Sequence, residues 1–132
     1  MKRVLIALAL LSLSIGSAIA QFAPVKYFSV VGTNSTLVLG RQAYFGGGAV
    51  SNTTATVYYF KLYNKATAPV CGTDIPVWTV ALPASITTTL PTLSEGVTFG
   101  LGVGFCITGA LADNDTTNAA VGIVVDLAVS GR

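Results

Sequence analysis

Beyond residue 20, apolar residues recur at every second position along most of the chain, and that period decides the fold class. The longest run is Val97, Phe99, Leu101, Val103, Phe105 and Ile107, with Thr98, Gly100, Gly102, Gly104, Cys106 and Thr108 on the opposite face. Strict alternation marks a half-buried strand, because successive strand side chains point to opposite faces. Tyr58, Phe60 and Leu62 alternate in the same way, as do Trp78, Val80 and Leu82, then Ile86, Thr88 and Leu90, and finally Ile123, Val125, Leu127 and Val129. Val25 to Val31, Thr36 to Leu39 and Gln42 to Phe45 are weaker strand candidates. No stretch there shows the three-and-four spacing of an amphipathic helix.

Turn residues separate these runs: Gly32-Thr33-Asn34-Ser35, Gly46-Gly47-Gly48, Ser51-Asn52, Asn64-Lys65, Gly72-Thr73-Asp74 and Asp113-Asn114-Asp115. Short strands at intervals of roughly ten residues predict an all-β fold, a single-domain antiparallel β-sandwich of jelly-roll-like build. Gly100, Gly102 and Gly104 share one face of the longest run. They leave room for a sheet, loop or subunit to lie flat against a bare stripe, or for a strong bend at a sandwich corner.

Residues 1–20 have another pattern. Met1-Lys2-Arg3 is basic, Val4 through Ile15 is apolar, and Ala18-Ile19-Ala20 places small residues before Gln21. That is the layout of a cleavable N-terminal signal peptide. The apolar run is about twelve residues, short of the roughly twenty that span a bilayer core. The organisation expected is therefore a signal peptide over 1–20, an N-terminal arm or first edge strand over 21–34, and a β-sandwich domain over 35–132. Export to the periplasm, the cell surface or the exterior follows.

Loss of Lys2 and Arg3 leaves Lys26, Arg41, Lys61, Lys65 and Arg132 against the 5 acidic residues, Asp74, Glu95, Asp113, Asp115 and Asp126. A neutral chain has no electrostatic footprint for nucleic acid, and no basic cluster remains for an anionic membrane. Charged residues make up only 9% of the sequence, where about a quarter is usual, so Thr, Ser, Asn and Gly must cover the surface. Such a surface favours association.

The chemical inventory is thin. With no histidine, the Ser-His-Asp and Cys-His arrangements and most catalytic zinc sites are excluded. Gly100-x-Gly102-x-Gly104 lies inside a strand pattern, away from the strand-to-helix turn that a phosphate loop needs. Asp113-Asn114-Asp115-Thr116-Thr117 has oxygen ligands at alternate positions, as calcium loops do, but the same residues make local Asx and ST turns. Asn34-Ser35-Thr36, Asn52-Thr53-Thr54 and Asn114-Asp115-Thr116 match the N-glycosylation pattern. Aromatics at strand spacing are mostly core; Tyr59 and Tyr63 are the rings expected at the surface, where they would stack on a ligand such as a sugar. No catalytic residue, cofactor or metal site is expected. The two cysteines allow one intrachain disulfide, Cys71–Cys106, in an oxidising compartment; the alternative is two buried free thiols.

Tyr59-Phe60-Lys61-Leu62-Tyr63-Asn64-Lys65-Ala66-Thr67-Ala68-Pro69 runs on to Gly72-Thr73-Asp74-Ile75-Pro76-Val77. After Leu82-Pro83-Ala84 and Gly96-Val97-Thr98-Phe99 comes Ile107-Thr108-Gly109-Ala110-Leu111-Ala112-Asp113-Asn114-Asp115-Thr116-Thr117. This succession, over roughly Thr54 to Leu127, resembles small all-β proteins encoded among the virion structural genes of tailed bacteriophages and prophages. The resemblance implies a decoration-like virion component on a capsid or tail exterior and brings no catalytic residues. The function expected is that of a non-enzymatic structural subunit acting in multiple copies. Its partners would be itself in a cyclic homo-oligomer, capsid or tail proteins, and surface glycans. The other class that fits is a secreted carbohydrate- or surface-binding β-sandwich module.

Overall fold

The computed structural model describes residues 21–92 and 96–131. The signal peptide expected over 1–20 lies outside the described residues. The strands are β1 (Ala23–Phe28), β2 (Thr36–Leu39), β3 (Ala43–Asn52), β4 (Tyr58–Asn64), β5 (Trp78–Leu82), β6 (Ile86–Leu90), β7 (Val97–Phe99), β8 (Val103–Thr108) and β9 (Ile123–Gly131). They form two antiparallel sheets. One has the order β1-β9-β3-β6, with β7 also paired to β3; the other has the order β2-β8-β4-β5.

The alternating residues fill the space between the sheets. Phe60 stands opposite Ile107 and Leu62 opposite Phe105 across the β4–β8 pair, and all four are fully buried. Val50 faces Val125 across β3–β9, and Leu82, Leu90, Ile123 and Leu127 complete the layer. Tyr27 packs edge-on against Phe105 at 5.3 Å between ring centres, and Phe45 does the same with Trp78 at 6.3 Å. Edge-to-face contact suits the ring quadrupoles and ties the two sheets together.

The run expected to be one long strand from Val97 to Ile107 is two strands in opposite sheets. β7 pairs with β3 and β8 with β2 and β4. The chain changes sheets at Gly100–Gly102, where Gly102 has φ +152 and its carbonyl accepts from the Lys65 N–H. Asn64 Oδ1 accepts from the Leu101 N–H at 2.9 Å, and the Leu101 side chain turns to solvent. The period-two pattern runs on across the break because both strands place the same parity of residues inward.

Gly46-Gly47-Gly48, expected as a turn, lies inside β3. The register against β9 shifts between Phe45 and Gly47, and Gly47 has φ +103, so the triplet forms a bulge. Gly46 and Gly47 fall between the segment of β3 that pairs with β7 and the one, starting at Gly48, that pairs with β6. At Gly48 any Cβ would stand 2.1 Å from the Asp126 carbonyl oxygen. The glycines serve close backbone approach within a strand.

Candidate functional site

The outward face of the β2-β8-β4-β5 sheet carries the side chains that could do chemistry. Tyr59, Lys61 and Tyr63 follow one another along it on β4, opposite Thr108, Cys106 and Gly104 of β8. Two loops roof this face. One runs from residue 65 to 77 between β4 and β5, and the other from 109 to 122 between β8 and β9. They meet at Gly72, where a Cβ would lie 2.4 Å from the Thr116 methyl group. The first loop is bonded to the sheet by the Cys71–Cys106 disulfide, with Cα atoms 6.0 Å apart. The cysteines are joined, and the reading as free thiols is excluded.

The roof decides what becomes of the residues beneath it. Tyr63, expected as an exposed ring, is fully buried. Sequence alternation places it correctly on the outward face, but the disulfide-bound loop covers that face. The Tyr63 hydroxyl is buried without a hydrogen-bond partner among the described residues. Burial, then the charges of Asp113 and Asp74, push its pKa up to about 12. Tyr59, the other ring expected to stack on a ligand, is half-buried.

Lys61, not singled out in the sequence, is the chemically unusual group of the site. Its side chain is fully buried. The ammonium donates to the Ala112 carbonyl at 2.5 Å, an oxygen that also accepts from the Asp115 N–H. Desolvation lowers its pKa, while Asp115 and then Asp113 oppose that shift. A lysine at an outward position of a strand ordinarily reads as solvated; only the carboxylates in Asp113-Asn114-Asp115 hint at a covered cation.

The Asp113–Thr117 segment is a hydrogen-bonded turn. The Asp115 carboxylate accepts from the Ala110 N–H at 2.7 Å, the Thr117 hydroxyl at 2.7 Å and the Thr117 N–H at 3.1 Å. Desolvation would raise its pKa, but these bonds from Thr117 and Ala110 together hold it below the ordinary carboxylate value. Among the described residues no cluster of three or more His, Cys, Asp or Glu side chains is arranged to hold a metal. In the other loop Asp74 pairs with Lys65 at 2.5 Å and accepts from the Val70 N–H at 2.6 Å. The hydrogen bond from Lys65, followed by that from Val70, lowers its pKa.

The three sequence-predicted glycines do not line one surface. Gly100 faces open space at the bend. A Cβ at Gly102 would stand 2.4 Å from the carbonyl oxygens of Leu39 and Lys65, and one at Gly104 would stand 2.8 Å from the Pro69 ring and 3.0 Å from the Thr36 oxygen. The chain's own backbone fills those spaces. Asn34 and Asn52, two of the three glycosylation candidates, are buried and spend their amides on the fold. Asn52 Nδ2 donates to the carbonyls of Thr56, Leu82 and Pro83, and Asn34 Nδ2 to that of Gly32.

A separate cleft of about 340 Å³ opens at the edge of the sandwich, lined by Val77, Trp78, Pro91, Val97 and Phe99. None of these side chains has a charge or a hydroxyl. Among the described residues the cleft therefore lacks the convergent charged or hydroxyl groups that orient a small ligand. Comparison of the chain with protein-family models, with curated proteins and with solved structures gives no match.

Proposed function

We propose that this chain is a non-enzymatic structural subunit of the phage-virion type, working in multiple copies as a decoration on an exterior surface. The observation that carries the reading is the use of the polar groups. Lys61, Lys65, Asp74 and Asp115 of the roofed face are bound to one another or to loop backbone, while Phe28, Val31 and Ile75 stand 64%, 72% and 81% exposed. Large apolar side chains left in water on a sparsely charged surface favour association.

The strand order supports a jelly roll. β1-β9-β3-β6 lies over β2-β8-β4-β5, so early and late strands interleave in each sheet, as when two Greek keys are wound together. Domains of that build are common in viral capsids and lectins. The disulfide supports export, because such bonds persist in oxidising compartments. The resemblance of Lys61–Val77 and Ile107–Thr117 to phage structural proteins points to the same type.

A second reading, a secreted carbohydrate- or surface-binding module, is favoured by Tyr59. Its half-buried ring stands between Thr108 and the exposed Ala81 on the outward face. Light scattering of the disulfide-bonded protein tests the first reading, which expects copies to associate as concentration rises. A glycan array tests the second: saturable sugar binding by a strict monomer would replace the structural reading with the binding module.

A further inference from the structure

A sandwich that is not closed exposes sheet edges, and natural proteins blunt the edges they keep solvated. The edges here are treated unequally. In β1 the Ser29 N–H bonds to the Ile123 oxygen, so Val25 and Tyr27 direct their backbone groups toward β9, while Pro24, Lys26 and Phe28 direct theirs outward. Pro24 has no donor to offer and Lys26 brings a charge, two recognised edge blocks. β2 has only four residues, and its register is broken between Leu37 and Leu39. Both edges on that side of the sandwich are protected.

β6 has no such protection. Its sequence, Ile86-Thr87-Thr88-Thr89-Leu90, contains no charge, no proline and no register shift against β3. The Thr53 N–H bonds to the Gly122 oxygen, so Asn52, Val50 and Gly48 face their backbone groups to β6. Thr87 and Thr89 therefore direct their N–H and C=O groups away from β3. Among the described residues nothing bonds to them there. Their side chains are exposed, and Ile86 beside them is 52% exposed.

We infer that β6 binds β6 of a second copy of this chain, antiparallel, about a two-fold axis through Thr88. The inference rests on the multi-copy reading above and names its contact. The near-palindromic sequence selects a second copy as the occupant. About that axis Thr87 meets Thr89 of the other copy, Thr88 meets Thr88, and half-exposed Ile86 falls in register with Leu90, whose side chain is buried in the core. Thr87 and Thr89 fall at the hydrogen-bonded positions, so each of the two Thr87–Thr89 pairs exchanges both of its backbone bonds. Cross-strand threonine pairs are favourable, and no like charges meet. β5 lies on the same side and is also uncharged, but paired with itself it would set Thr79 against Ala81 and Trp78 against Leu82. The result is an isologous contact that continues one sheet across two molecules.

The test uses the full disulfide-bonded protein in two measurements. Sedimentation of the parent and of Thr87→Lys/Thr89→Lys should show concentration-dependent association weakened by roughly 100-fold or more in the variant, because it sets lysine against lysine in both pairs. Amide hydrogen exchange of the unmodified protein should slow at Thr87 and Thr89 only at concentrations where it associates. That readout needs no variant to fold. Association that persists in the variant, with fast exchange at Thr87 and Thr89, overturns the β6 contact and leaves the multi-copy reading standing. A parent protein that is monomeric at every concentration overturns both.

Discussion

Lys61 keeps an ammonium group beneath two loops with one carbonyl as its hydrogen-bond partner and two nearby carboxylates to balance it. Its four-carbon stem fills space there as well. Truncation to alanine removes both and leaves a cavity, so Lys61→Ala should cost about 3 kcal/mol in urea unfolding. Lys61→Met keeps most of the volume and removes the desolvated charge, and should cost about 1 kcal/mol. Equal losses for the two would mean that the charge, and not the packing, is what matters. Tyr63 gives a residue-scale test in alkali. Its pKa is 10.0 in a model compound and about 12 here, so the folded chain holds the phenol proton more tightly than the unfolded chain. The corresponding stability is fully present below pH 10 and should fall by roughly 2–3 kcal/mol as the folded pKa is passed. Lys61, with its pKa lowered below 10.5, acts in the opposite direction as pH rises to that value. Comparison with Tyr63→Phe separates the two. The variant should lack the alkaline loss and be as stable as the parent, or more so by about 1 kcal/mol, because the lost hydroxyl has no partner among the described residues.

At the scale of elements, the loop from 65 to 77 behaves as a clasp. The disulfide holds its middle, and Asp74 gathers Lys65 and the Val70 N–H at its base. Cys71 and Cys106 are separated by 35 residues, and closing a loop of that length should contribute roughly 3–4 kcal/mol. Reduction should lower the unfolding midpoint accordingly. It should also open Lys61 to amine-reactive labels that the oxidised protein resists; labelling at equal rates in both forms would show that the loop stays in place without its bond. In acid the clasp loosens by another route. Asp74 and Asp115 both have folded pKa values below 3.8, so their contributions are present above pH 3.8 and are lost as pH falls through those folded values. Exposure of Lys61 should rise in that acid range before the sandwich itself unfolds.

Among the described residues most charges other than Arg41 lie in local groups, and several large apolar side chains stand in water. Lys26 meets Asp126 at 3.5 Å across β1–β9, Lys65 meets Asp74, and Lys61 sits beside Asp113 and Asp115. Contacts between copies would therefore rest on backbone pairing and apolar burial. Association measured by light scattering should change little between about 0.1 and 1 M salt, although the screening length shrinks about threefold over that range. A steep loss of association with salt would point to charged contacts and away from the uncharged β6 edge.

The period-two pattern by itself located most of the strands and their inward faces, because side-chain parity is a local property; β3 breaks it, with Ala43 and Phe45 buried before its bulge and Val50 and Asn52 after it. Thr36–Leu39, Ile86–Leu90 and the inward set of Tyr58, Phe60 and Leu62 could be read directly. So could the Cys71–Cys106 pair, since two cysteines admit only one partner each. Parity cannot say which sheet a strand joins. The break at Gly100–Gly102 was therefore hidden inside an unbroken alternation, and the Gly46–Gly48 bulge looked like a turn. Nor can parity say what lies above an outward face. Tyr63 and Lys61 occupy positions that solvent would normally reach, and only the packing of two loops, the first held to the sheet through sulfur and the second, from far along the chain, meeting it at Gly72 and Thr116, puts them inside. Burial on that face depends on contacts between segments far apart in the chain, and these exist only once the fold has formed.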